Sequence, residues 1–194
     1  CSMAAIDQGR SVDTTMGFTP LEGLMMGTRS GDLDPSLILY IMGKEGLSLN
    51  EAGTLLNKHS GLIGVSGESS DMREILSAMK ENHKRAGYAF EMFCYKIKKY
   101  LGAYAAAMGG LDAFVFTGGI GENSYEVRNE VCKNLNFLGI SLDEDRNKNK
   151  RELISSDSSQ VAVFRIPTNE ELVIALDTSE IVKSSKEKEQ FVEK

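Results

Sequence analysis

The stretch FTGGIGEN, Phe116–Asn123, decides how the rest of the chain is read. It continues a short apolar run that begins at Ala113, and it sets three glycines and an asparagine where a packed element would ordinarily go on. Glycine weakens helices and strands because it loses the most backbone freedom on folding, so a cluster of them calls for a local reason. Two reasons fit. The chain turns tightly from a strand into a helix, or a ligand comes close to the main chain. A strand that runs through glycines into a helix start also gathers free N–H groups at the positive end of a helix dipole, which suits a phosphate. The stretch is not a Walker A loop, since no Lys-Ser/Thr pair follows, and Ser124 stands where a dinucleotide fingerprint needs glycine or alanine. Both readings stay open on the local sequence.

Outward from this point, periodicity and punctuation give a coarse map. Residues 1–16 read as a hairpin, CSMAAI and SVDTTM about a turn at Asp7–Arg10. Residues 17–34 contain four glycines and read as an ordered loop. Helices are expected at 35–44, opened by Pro35, and at 48–58, where Ser48 and Glu51 have capping-box spacing. Segment 60–70 is a short apolar run set in glycine and serine, and Asp71 starts the next helix. The longest helix is expected from Glu81 to Met108, on the spacing of Ala86, Phe90, Phe93, Ile97, Leu101, Tyr104 and Met108. A strand at 113–117, apolar on both faces, precedes a helix from Ser124 to Leu135 capped by Asn123. Residues 141–160 read as a surface excursion, 161–166 as a strand, and Thr168 as the cap of a last helix ending near Lys183 before a polar tail. The alternation after Leu111 implies an α/β fold with parallel strands covered by helices.

Composition narrows the classes. The 194 residues carry a formal charge of -6, which argues against general nucleic-acid binding but leaves room for a local anion site. No apolar stretch reaches the length of a membrane span, and CSMAAIDQGR does not read as a signal peptide. Three scattered cysteines form no metal-binding pair and suggest a reducing cytoplasm, and His59 and His83 sit in polar surroundings that suit surface positions. The chain opens on Cys1 rather than methionine and enters strand-like sequence at once, which reads as a piece of a longer protein.

Three further stretches carry chemistry, each with a plainer alternative. In MGTRSGDLD, residues 26–34, Arg29 has the fixed donor fork that clamps phosphate or carboxylate, or else it pairs in solvent with Asp32 or Asp34. In SSDMRE, residues 69–74, Asp71 caps a helix, or the turn and Arg73 line a nucleotide pocket. In PTNEE, residues 167–171, Thr168 and Glu171 form a capping box and leave Glu170 to hold magnesium or to favour the helix dipole.

Taken together, DTTMGFTPLEGLMMGTRSGDLDP, SGLIGVSGESSDMRE, GLDAFVFTGGIGENSYEVR and RIPTNEELVIALDT, in that order, resemble the C-terminal half of the acetate kinase family over about Ser2–Thr178. The resemblance implies the C-terminal domain of the actin-like ATPase (ribonuclease H-like) fold, a mixed sheet flanked by helices and lacking its first strands. Residues 1–182 would form the nucleotide-binding domain and 183–194 a frayed tail. It implies ATP + acetate ⇌ ADP + acetyl phosphate with Mg2+, in a cytoplasmic homodimer. Gly119, Ile120, Gly121, Glu122 and Asn123 would lie along the nucleotide, and Asp71, Met72 and Arg73 on its nucleoside side. Arg29 would stabilise charge on the moving phosphoryl group, and Glu170 would help hold magnesium. The chain by itself is expected to be inactive. Alternatives are a propionate or butyrate kinase, which would share these motifs, and a non-catalytic nucleotide-binding or dimerisation module.

Overall fold

A computed structural model describes residues 1–192, with the surroundings of side chains as far as Lys183. The chain begins with a hairpin, β1 (Ala4–Asp7) antiparallel to β2 (Arg10–Thr14). Gln8 and Gly9 both have positive φ, 48° and 77°, the geometry of the two-residue turn whose twist matches that of the flanking strands. Residues 15–34 follow without helix or strand, as expected of an ordered loop. Asp32 orders this loop. Its carboxylate accepts from Gly23 N at 2.8 Å and from the Tyr100 hydroxyl at 2.7 Å, and its own N–H donates to Gly23 O.

Four helices precede the longest one. They are α1 (Pro35–Glu45, capped by Asp34), α2 (Leu49–Lys58, with the Ser48/Glu51 capping box), α3 (Gly61–Ser66) and α4 (Met72–Lys80, capped by Asp71). Helix α3 lies in the segment expected to be only a glycine- and serine-bound apolar run. Its cap, Ser60, makes no capping bond, its hydroxyl donating back to Leu55 O, and instead Leu62 N and Ile63 N donate to Met26 O and Gly27 O. Gly61 permits that approach, since a Cβ on it would stand 2.2 Å from Met26 O.

Helix α5 (Lys84–Ala107) starts three residues later than periodicity suggests. Asn82 has φ 62°, which breaks the helical path, and Ala86 N donates to the His83 ring, making that histidine the cap. The buried positions Ala86, Ala89, Phe90, Phe93, Cys94, Ile97, Leu101, Tyr104 and Ala105 recur every three or four residues and form one continuous face. Helices α3, α4 and α7 pack on it. Burial of each large apolar side chain here contributes roughly 1.5–3 kcal/mol.

Strand β3 (Ala113–Phe116) pairs in parallel with β4 (Ala162–Arg165). The crossover between them holds α6 (Gly118–Asn123), α7 (Tyr125–Cys132), a 3-10 turn (Asn136–Leu138) and α8 (Glu144–Lys148). The expected mixed sheet is present as two separate two-stranded pairs, β1–β2 and β3–β4. Strand β3 is also not covered on both faces. Phe114 and Phe116 are buried against the core, whereas Val115 on the opposite face is 43% exposed.

The segment 141–160 runs largely over the surface, as expected, but it is anchored to the core. Ile154 is fully buried, its N–H donates to Val163 O at 2.8 Å, and bridges join Leu142 to Ser155 and Leu153 to Phe164. The last helix, α9, spans Glu170–Val192, past the expected stop near Lys183; residues 193 and 194 of the expected tail lie outside the described residues. It is Asn169, not Thr168, that caps α9, accepting from Leu172 N at 3.0 Å.

Candidate functional site

The glycine stretch is itself helical. Helix α6 begins at Gly118, so Ser124, rather than Asn123, caps the next helix by accepting from Val127 N. Gly118 has φ 69°, which explains that glycine as a turn. Gly119 has no such explanation. Its φ lies outside the left-handed region, and a Cβ on it would meet nothing within 4 Å. A glycine here costs helix stability without serving any contact inside the chain.

The space in front of Gly119 is a cavity of about 1000 Å³. One wall is the start of α4, with Ser70, Asp71, Met72 and Arg73. The other is a face of α6, with Gly119, Ile120 and Asn123, and continues to Tyr125 and Glu126 of α7. Two segments singled out separately in the sequence, some fifty positions apart, thus face one another. Leu76 and Lys80 extend the α4 wall, and Lys150 sits at the rim, where its ammonium donates to Asn123 Oδ1 at 3.0 Å. Among the described residues Lys80 and Lys150 form no ion pair, and with Arg73 they outnumber the lining carboxylates of Asp71 and Glu126.

Asp71 serves the plainer role foreseen for it while lining this cavity. Its carboxylate caps α4 through Arg73 N at 2.8 Å and grips the Arg73 guanidinium with both oxygens. Those hydrogen bonds from Arg73 hold its pKa down at about 2.

Gly121 and Glu122 do not line the cavity. The Glu122 carboxylate turns the other way. It accepts from Gly118 N and from both the N–H and the hydroxyl of Thr168, and these bonds, led by the Thr168 amide, hold its pKa below the usual range. Glu170 stands two residues beyond Thr168, exposed in the first turn of α9, without an ion pair among the described residues. It is not part of the cavity lining. No cluster of three or more potential metal ligands occurs among the described residues. A lone exposed carboxylate nevertheless fits a magnesium ion, which takes one or two protein carboxylates and fills its shell with phosphate oxygens and water.

Arg29 borders a second, smaller cavity of about 430 Å³, formed with Gly27, Thr28, Asn57 and Lys58. Ser70 lines both cavities and joins them. The alternative pairing of Arg29 with Asp32 or Asp34 is not what the structure shows. Asp32 is taken by Tyr100, Lys96 and Gly23, and Asp34 caps α1 through Ser36 N. Among the described residues the Arg29 guanidinium makes one hydrogen bond, a long one of 3.8 Å to Met26 Sδ. The loop that presents it is fixed, because Met26 N bonds Arg29 O, Ser30 N bonds Leu56 O and Ser60 N bonds Thr28 O. Among the described residues this half-buried arginine on a fixed loop forms no ion pair, and its donor fork is of the kind that suits an anion.

Sequence reasoning passed over Arg128. It is fully buried and reads all the elements behind the cavity: Nη1 donates to Gly121 O and Glu122 O at the end of α6, while Nε and Nη2 donate to Oδ1 and O of Asn147 in α8. Burial lowers its pKa, and nearby Arg165 adds to that. The local sequence YEVRNEVC gives no sign of this, since an arginine between two valines on a short helix also suits the surface.

Comparison with known proteins places the chain in a family. The model of the acetokinase family matches residues 1–176. The acetate kinase of Halothermothrix orenii is 57% identical over 185 residues, which are 94% of this chain and 46% of the relative. The crystal structure of Porphyromonas gingivalis acetate kinase superposes with a TM-score of 0.89 at 51% identity, covering 93% of this chain and 46% of that one. A propionate kinase from Francisella tularensis gives a TM-score of 0.86 at 43% identity, covering 90% and 45%. The chain therefore spans about half the length of the relatives it matches, and it carries its part of the actin-like ATPase fold that those kinases have. By a family match over most of its length, this chain belongs to the acetokinase family.

Proposed function

We propose that the chain forms the nucleotide-binding half of a cytoplasmic phosphotransferase that catalyses ATP + acetate ⇌ ADP + acetyl phosphate. The observation that carries this reading is the cavity in front of Gly119, where the backbone of α6 is left bare and faces Asp71–Arg73 across about 1000 Å³. In this reading residues 1–182 act as the nucleotide domain. Met72, Leu76 and Ile120 give the cavity its apolar lining, suited to a base, and Gly119 and Asn123 run along the phosphates. Lys80 and Lys150 balance phosphate charge at the mouth. The phosphate chain then extends past Ser70 toward Arg29.

Phosphoryl transfer asks for positioning and charge stabilisation more than for a reactive side chain. Arg29 supplies the charge stabilisation: its unpaired guanidinium tightens on the equatorial oxygens as they gain charge in flight. Arg128 acts at a distance, holding the end of α6 in place through two main-chain carbonyls. Glu170 would hold Mg2+, which when bound neutralises repulsion between phosphate oxygens. Acetate itself is the nucleophile. Three free thiols suit a reducing compartment, and no described helix is long and apolar enough to cross a membrane.

We also propose a homodimer. Tyr88, Met92 and Tyr95 stand exposed at successive turns of the outer face of α5 and offer an apolar ridge to a second copy.

Acyl phosphate formed from ATP, magnesium and acetate, and trapped with hydroxylamine, tests the proposal on the protein expressed from its complete reading frame. Acyl hydroxamate is expected, with acetate preferred over propionate and butyrate. ATP binding without any acyl transfer would instead support a non-catalytic nucleotide module. Stronger turnover with propionate would move the assignment toward the kinase of F. tularensis. The 194 residues alone are expected to bind nucleotide weakly and to turn over little.

A further inference from the structure

We propose that Glu122 is a positioning residue that ties the nucleotide-facing helix α6 to the segment carrying Glu170, so that both parts of the phosphate site are set together. This inference rests on the function proposed above.

Glu122 sits within the glycine stretch, yet its side chain avoids the cavity that Gly119, Ile120 and Asn123 line. One oxygen, Oε1, accepts three hydrogen bonds: from Gly118 N at 3.0 Å, Thr168 N at 2.9 Å and Thr168 Oγ1 at 2.9 Å. The donors come from two segments far apart in the chain. A carboxylate accepting from uncharged donors makes charge-assisted bonds, stronger than neutral ones. No cation forms an ion pair with Glu122 among the described residues; the Arg165 charge acts on it only as a lesser influence beside the Thr168 and Gly118 hydrogen bonds.

The connection matters because little else places Glu170. The β3–β4 ladder ends where Ile166 N donates to Phe116 O. Beyond that rung, Thr168 is held by Glu122, and α9 is exposed at every position from Glu170 to Lys183. Among the described residues the first turn of α9 has no buried position. The Thr168–Glu122 clasp holds the residue two positions before Glu170, and the same carboxylate oxygen also accepts from Gly118, one residue before Gly119. Movement of α6 against a nucleotide is thereby passed to the carboxylate proposed to face the metal.

The test uses the protein expressed from its complete reading frame and compares Glu122→Gln, Glu122→Ala and Thr168→Val. ATP affinity is measured by calorimetry with and without magnesium, along with the magnesium concentration that half-saturates turnover. Glu122→Ala is expected to raise that magnesium requirement about tenfold and lower kcat similarly, with metal-free ATP affinity kept within about twofold. Glu122→Gln keeps a carbonyl acceptor and should restore most of the loss, to within about threefold of the parent. Thr168→Val removes one of the three donors while keeping the amide, and should shift the magnesium requirement about threefold in the same direction. It also tests the clasp should Glu122→Ala fail to fold. An unchanged magnesium requirement in Thr168→Val and in any folded Glu122→Ala overturns the inference, as does an equal loss of metal-free and magnesium-bound ATP affinity. A parent protein that binds no ATP under either condition overturns the function proposed above instead.

Discussion

Replacement of Gly119 separates the demands of the fold from those of a ligand, because the two predict opposite signs. In the structure a Cβ at 119 meets nothing within 4 Å and the backbone is not in the left-handed region. Alanine should therefore stabilise α6 by about 0.5–1 kcal/mol, the usual difference from glycine in a helix. For a chain of this size that corresponds to a rise in Tm of roughly 1–4 °C. The same Cβ enters the cavity facing Asp71–Arg73, so nucleotide affinity should fall as the side chain grows. Leucine at 119 fills the space above the main chain and should weaken MgATP binding at least about tenfold, or ~1.4 kcal/mol, while keeping the stability gain. Differential scanning calorimetry and isothermal titration calorimetry on the same samples read both signs. A lower Tm for Gly119→Ala would show that the glycine serves an internal contact. Unchanged MgATP affinity in Gly119→Leu would remove the nucleotide from this wall.

Four other expectations follow from the geometry. Arg29→Ala should lower kcat about 10²–10³-fold, the scale of losing one donor to a developing charge, with Tm nearly unchanged, because among the described residues its guanidinium hydrogen-bonds only weakly, to Met26 Sδ. Arg128→Met should cost about 3 kcal/mol or more, seen as a lower urea midpoint at constant m-value, because it strands the carbonyls of Gly121, Glu122 and Asn147 in a buried site. Asp71 has a folded pKa of about 2 against an ordinary value of 3.8, so the stability it adds is complete above the ordinary value and fades as pH falls from about 3.8 through 2; acid titration of Asp71→Asn should show a shallower loss across that window than the parent. Burial pushes the thiols of Cys94 and Cys132 up to about 12, so both should resist a thiol reagent at pH 8 and react only in denaturant.

Features that depend on neighbours along the chain are legible in the amino acids themselves. Ser48 and Glu51 three residues apart, Pro35 after Asp34, the apolar face of α5 and the Gln8–Gly9 turn are all local, and each stands where the residues indicate. What the residues hide is set by distant partners. GLIGVS becomes helical because two of its amides reach the Met26–Gly27 loop, and nothing in those six letters records that loop. Asn147 and Lys150 lie in a polar stretch that looks solvated, yet Asn147 binds a buried guanidinium and Lys150 rims the cavity. Of the candidate site residues read from the sequence, the structure brings Asp71–Arg73 and Gly119, Ile120 and Asn123 to one cavity and Arg29 to its neighbour, and it leaves Gly121 and Glu122 outside the lining. The direction of the Glu122 carboxylate is the feature no spacing reveals, since Thr168 is 46 positions away.

Helix α5 has a mechanical consequence. Its 24 residues make a rod of about 36 Å, and both α4 and α7, on opposite sides of the cavity, are seated on it. A rod neither shortens nor pivots within itself, so the spacing between those two sides is fixed before any ligand arrives. Clamping a phosphate chain by drawing them inward would mean unseating Phe90, Phe93 or Ile97 from the interior. This block therefore behaves as an anvil, a fixed seat for whatever occupies the cavity.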